Sequence, residues 1–324
     1  VAMMPAKNNT AVGAKALRAN TAGYNNTAIG VNSHTSNATG TFNTGAGTGT
    51  LLSNISGESN TALGTAALRQ NITGSSNNGI GRGSLELNAA GHNNIGIGTN
   101  SLNENTAGRD NVAVGFISLA KNKTGSKNTA IGSFVMHNAN TGNNNTVIGY
   151  RSLGNPASSG SANVVIGHKS FTFLTEGSNN IGIGKGAEVP SSIACNQLRI
   201  GNAAITYAGI QVPWTITSDR RWKSAITSSG LGIDFIKKLN PVSYIRSNDR
   251  NRRLEYGFIA QELEQALARS GAADNAIIAK ADDGMLSVRY NDLLAPMVKA
   301  IQQQQAVIKK LTRRIKELEN KKQK

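Results

Sequence analysis

Long apolar runs, disulfide partners, aromatic rings and acidic clusters are all scarce in this chain of 324 residues. No apolar run approaches the roughly 18 residues of a membrane-spanning helix, so no membrane insertion is expected. The opening stretch VAMMPAKNN has no apolar core, and no signal peptide is expected there. Cys195 is the single cysteine, which excludes a disulfide within the chain. Asp110 is the single aspartate of the first two hundred residues. Calcium-binding solenoids need carboxylate oxygens, so calcium is not expected. His34, His92, His137 and His168 fall at unrelated places and form no metal set. Neither a metal nor any other cofactor is predicted.

What the chain has instead is Gly, Asn, Thr, Ser and Ala, arranged with a period. Glycines stand at Gly13, Gly30, Gly47, Gly64, Gly81, Gly98, Gly115, Gly132, Gly149, Gly167, Gly184 and Gly201. Every step is 17 residues except one of 18, between Gly149 and Gly167. An aliphatic residue generally precedes the glycine (Ile80, Ile97, Val114, Ile131), and Asn usually stands four before it (Asn77, Asn94, Asn111, Asn128). Leu commonly follows four later (Leu68, Leu85, Leu102), and a second Asn and Gly come after that, as in Asn71 and Gly74. Two before the glycine the residue is small, as at Ala62, Gly79, Gly96 and Ala113. Alternation in NNTAIG reads as a strand, and the Asn and Gly columns read as turns, so each period is predicted as strand, turn, strand, turn. One rung cannot bury its aliphatic residues alone, but stacked rungs cover one another. The prediction is a mainly β chain: a parallel β-solenoid of about twelve rungs over 1–203, ~55 Å long at one strand spacing per rung. The small column lies either inside a narrow roll or between subunits. The repeat resembles the β-roll heads of trimeric autotransporter adhesins, which carry a similar Asn-x-Val-Ala-Ile-Gly signature.

After Gly201 the period stops. A connector, 204–217, leads to a small α+β unit over 218–294. There IDFIKKLNPVSYI reads as helix then strand, EYGFIAQELEQALARSG as strand then helix stopped by Gly271, and GMLSVRYNDLLAPMVKAI as strand then helix. Residues 295–324 carry heptads, with Ile301, Ile308 and Ile315 at one core position and Met297, Gln304, Leu311 and Leu318 at the other. That is a left-handed coiled-coil seam, and Gln304 within it leaves two or three chains open. The net charge of +16 includes a terminal basic cluster, Lys309 to Lys324, which reads as a solvated helix face rather than a nucleic-acid site.

The segments TSDRRWKSAI, LNPVSYI, EYGFIAQELEQ and SVRYNDLLAPMVKAIQ, followed by the coiled coil, occur in an order that resembles the C-terminal intramolecular chaperone of phage endosialidases and tail fibres, the peptidase S74 family. The resemblance covers about 214–324. It implies a Ser-Lys dyad with Ser218 as nucleophile, Lys223 as general base and the Thr217–Ser218 bond as the bond cut. Where the family usually has Asn two residues after the Lys, this chain has Ala225. Asp219, Arg220, Arg221, Gln261 and Glu262 are candidate supports, the arginines because a cationic neighbour lowers a lysine's pKa. The expectation is a homotrimeric tail-fibre or surface adhesin, made in the cytoplasm and displayed on a virion, a phage-tail-like particle or a bacterial surface. Its solenoid would meet a cell-surface receptor or glycan, and its end-piece would set register and then cut itself off. The alternative is a stable adhesin that keeps the end-piece.

Overall fold

A computed structural model describes residues 7–155, 159–249 and 251–322. The chain divides into two compact units, Val1–Ala203 and Ala204–Lys324. In the first, short parallel strands stack in chain order from β1 (Thr10–Val12) to β12 (Leu198–Ile200), each bonded to the strand before and the strand after it. Register follows the repeat: Ile97 pairs with Val114, one period of 17 further on. At the long step β9 (Thr146–Tyr150) meets β10 (Val164–His168), with Val147 opposite Val165. These two strands have five residues, whereas the others have three. The predicted parallel β-solenoid is the fold of this unit.

Each rung differs from the expectation in one respect. It holds a single strand, and the Leu column lies in a turn rather than in a second strand. Leu85 and Leu102 sit at φ 53 and 50, in the left-handed region. That conformation costs a non-glycine residue roughly 1–2 kcal/mol. The cost is offset across rungs, because the Leu85 amide donates to the Ser101 carbonyl at 2.9 Å and the Leu102 amide to Ser118 at 3.0 Å. The turn aims the side chains inward, and Leu51, Leu68, Leu85, Leu102, Leu119, Met136, Leu153 and Phe171 form one fully buried column.

The Leu column leaves little room opposite it. From β2 to β11 the second residue of the strand is buried and small, as Ala62, Ala113 and Ala130 are, with Val147 and Val165 in β9 and β10. A Cβ on Gly96 would lie 2.6 Å from Ser84 Oγ. The small column therefore lines a narrow interior, and the aliphatic residue beside it must face out. Gly98, at φ +122, closes the strand because a Cβ there would come within 2.5 Å of the Gly115 carbonyl oxygen of the next rung.

The two Asn columns are core rather than surface turn formers. Asn111 is fully buried; its Nδ2 donates to Gly125 O at 2.9 Å and to Asn94 Oδ1 at 3.0 Å. Its Oδ1 accepts the Asn128 backbone amide at 3.0 Å. The second column does the same with its own chain of amides, for example Asn88 Nδ2 to Asn71 Oδ1 at 2.9 Å and to Gly91 O at 3.0 Å.

The second unit holds α1 (Ile233–Ile236), a hairpin of β13 (Val242–Tyr244) and β14 (Glu255–Gly257), α2 (Ala260–Ala268), a hairpin of β15 (Ile278–Lys280) and β16 (Leu286–Val288), and α3 (Leu294–Lys322). Phe235, Leu263, Ala266, Leu267, Ile277 and Leu293 form its core. Amphipathic spacing in α2 supplies three of those residues from one helix face.

Candidate functional site

Lys223 stands five positions after Ser218, and a single turn of 3-10 helix, Arg220–Trp222, folds that span back on itself. Asp219 caps the turn: its carboxylate accepts the Arg221 backbone amide at 2.8 Å and binds the Arg221 guanidinium through Nε at 3.0 Å and Nη2 at 2.7 Å. The Lys223 amide closes the turn on Arg220 O at 3.0 Å. The result is a direct contact, Lys223 Nζ donating to Ser218 Oγ at 2.6 Å. With the ammonium donating, the pair orients the hydroxyl. Once Lys223 has lost its proton, the same pair can run in reverse and take the hydroxyl proton.

The local charges are arranged around this pair. The Arg221 guanidinium and amide hold the Asp219 carboxyl below the usual carboxylate range, and Asp219 in turn raises Arg221. Asp219 is thus engaged by Arg221 rather than by Lys223. Arg220 has no ion-pair partner among the described residues and is the cation left beside the lysine. Ser218 and Lys223 are both exposed in the single chain, as is Trp222. Ala225, two residues past the lysine, is at φ 49. Asn tolerates that region far better than Ala, which gives a physical reason for the family's Asn there.

Residues 218–272 match the family model Peptidase_S74, described as chaperone of endosialidase. This segment is similar to the chaperone of endosialidase. The match starts at Ser218 itself and covers α1, the β13–β14 hairpin and α2. No curated protein and no solved structure matches the chain.

Within the chaperone domain, Glu262 Oε2 accepts from Asn240 Nδ2 at 3.0 Å, fastening the start of α2 to the turn before β13. Gln261 lies one residue earlier on the same helix, beside Tyr244, Phe258 and Tyr290. Neither hydrogen-bonds Ser218 or Lys223. Sequence reasoning missed an open apolar hollow of about 550 Å³ between Pro241, Val242, Tyr256, Phe258 and Tyr290. Its signal was available in the aromatic residues that flank the β13–β14 hairpin.

Beyond the domain, α3 carries the heptad residues on one exposed stripe. Met297, Ile301, Ile308, Leu311, Ile315 and Leu318 range from 41% to 64% exposed, and Gln304 is exposed with them. Arg313 and Arg314 both pair with Glu317 on the same helix. The solenoid presents a second apolar stripe. Ile29, Ile80, Ile97, Ile131, Ile148, Ile166 and Ile183 face outward, 37% to 44% exposed. No described helix is long and apolar enough to cross a membrane, and no described cluster of His, Cys, Asp or Glu has the makings of a metal site.

Proposed function

We propose that the chain is a homotrimeric tail-fibre or surface-adhesin protein whose C-terminal domain guides trimer assembly and then cleaves itself at Thr217–Ser218. The observation that carries the cleavage is the 2.6 Å Ser218–Lys223 contact at the first residue of the family match. Ser218 Oγ attacks the Thr217 carbonyl carbon, and Lys223 takes the hydroxyl proton. The C–N bond breaks as that proton passes to the Ser218 nitrogen, leaving an ester between Thr217 and Ser218 Oγ. Water then hydrolyses the ester, freeing the Thr217 carboxylate and a new N-terminal serine. The attacking group and the bond belong to adjacent residues, so the chain itself supplies proximity. The base must be neutral, and removing it from water favours that form. Both groups are exposed in one chain, so covering by neighbouring chains is the event that switches the lysine on, and cleavage follows assembly.

Two apolar stripes favour the trimer, one on the solenoid and one on α3. A half-exposed Ile gains roughly 1–2 kcal/mol on full burial. Chains displaced by one rung forfeit little more than one such contact each, so the ladder specifies its own register weakly. Nonlocal β pairing is also slow. An end-piece that associates first holds the ladders at an effective concentration of about millimolar and aligns them. The assembled fibre is read as extracellular, on a phage-tail-like particle or bacterial surface, meeting a receptor or glycan through the solenoid; nucleic acid is not a partner in this reading.

The test is the intact mass of the wild type, Ser218→Ala and Lys223→Ala after expression. A fragment ending at Thr217 in the wild type, absent or at least a hundredfold slower in both variants, is the expected result. Equal full-length mass in all three rejects cleavage and leaves an adhesin that keeps its chaperone.

A further inference from the structure

Aromatic residues are few in the repeat, and Phe116, Phe134 and Tyr150 stand together at one corner of it. The two positions that follow the repeat glycine hold Phe116, Phe134, Tyr150 with Arg151, and His168 with Lys169, on four consecutive rungs. The same two positions hold no aromatic in the other eight rungs, and no Asp or Glu in any rung. The corner also coincides with the single irregularity of the ladder, the 18-residue step and the five-residue strands β9 and β10. The longer strands bring Tyr150 and His168 into register as neighbours.

The side chains form a continuous, outward-facing row. Phe116 meets Phe134 edge to face at 5.2 Å, Phe134 meets Tyr150 at 6.3 Å, and Tyr150 stacks on His168 at 5.4 Å with planes 16° apart. Phe116 and Tyr150 remain 45% and 38% exposed. The Arg151 guanidinium lies over both central rings, 5.3 Å from Phe134 and 5.6 Å from Tyr150. It has no ion-pair partner among the described residues. A guanidinium held between two rings is a pre-organised fork whose natural complement is a carboxylate or a similar planar anion. Ring centroids on neighbouring rungs stand 5.2 to 6.3 Å apart, a row on which the apolar faces of successive sugar rings can pack.

We propose that this corner binds an acidic sugar chain, the sugar faces packing on Phe116, Phe134 and Tyr150 and the anionic group pairing with Arg151, with Lys169 beside it. This locates the receptor contact within the fibre reading above and rests on that reading for its biological setting, though not for its chemistry. The repeat supplies a rigid scaffold, and the site lies where the repeat is broken.

The full chain would be titrated with three fluorescent probes of matched length: a galacturonate oligomer, a dextran sulfate and neutral dextran. The first two separate carboxylate from sulfate recognition. Binding of an acidic probe at least tenfold tighter than neutral dextran is expected, with a further loss of tenfold or more in Arg151→Ala and in Tyr150→Ala. Lys15→Ala, which removes the same charge from a rung without aromatics, is expected to leave affinity within twofold. No binding of either acidic probe, equal binding of neutral dextran, or equal losses in Lys15→Ala and Arg151→Ala would overturn the proposal. Oligomer mass and Thr217 cleavage are recorded for every variant. A trimer lost in Tyr150→Ala would make the corner a subunit contact and also end it. A wild type that is monomeric but still binds through Arg151 leaves this inference standing while the fibre reading falls.

Discussion

His34 occupies the place in its rung where the rungs above it carry Leu51, Leu68 and Leu85. It is fully buried; Ser33 Oγ lies 2.9 Å from its Nδ1, and its Nε2 has no partner. Burial pushes its pKa down from 6.5 to about 4. The unfolded chain therefore binds a proton near pH 6.5 that the folded chain refuses until about pH 4. Stability is intact above pH 6.5 and falls as the pH drops toward 4, by about 3 kcal/mol in all at 1.36 kcal/mol per unit. Circular dichroism melts at pH 7.5 and 4.5 should show a larger drop in midpoint for the wild type than for His34→Leu. The variant should also be the more stable at pH 7.5, by about 1 kcal/mol or more, because it removes the unpaired nitrogen. Equal pH dependence in the two proteins would mean that His34 is solvated. At this scale the sequence was only partly legible. The Ser218–Lys223 pairing could be read from ordered motifs, but the left-handed φ of Leu85 and Ala225 could not, because neither residue type favours it.

The rung is the element, and its hydrogen bonds explain its composition. Buried amides of Asn94, Asn111 and Asn128 each serve the carbonyl of a glycine, and those of Asn94 and Asn111 also serve the backbone of the next rung. Asn111→Ala would strand the Asn128 amide where water cannot reach and leave the Gly125 carbonyl with Asn122 alone. A loss of about 1–3 kcal/mol is expected, the usual cost of one unsatisfied group. Urea unfolding of Asn111→Ala against Gln70→Ala, whose side chain is exposed, measures it; equal midpoints would show that the ladder contributes nothing. The period, the strand that ends at each repeat glycine and its register were visible in the spacing of Asn, Ile and Gly. The missing second strand was not, since a Leu in a tight turn and a Leu in a strand leave the same mark in a 17-residue repeat. Asn likewise reads as a turn former from propensity alone, and only the narrow interior turns it into core.

For the molecule as a whole, the outward Ile column is the consequence of an interior too tight for it. The sequence left open whether the small column lay inside a narrow roll or between subunits, and the buried Ala62 and Ala113 put it inside. Ile97→Asp with Ile131→Asp should leave the far-ultraviolet spectrum of the chain unchanged, because both side chains point away from the core. The same change should abolish the proposed trimer in light scattering after size exclusion, since like charges would line the face proposed to be shared. A trimer of undiminished stability would place the subunit contact elsewhere.

The odd step at β9 and β10 has a consequence for how such ladders find one another. A staircase of equal treads offers no landmark, but one deeper tread is a landmark. For chains zipping upward from the C-terminal end, that tread is third and fourth in line, after β12 and β11. A misaligned start would thus jam within a few rungs, while separation is still cheap and most of the ladder is still apart.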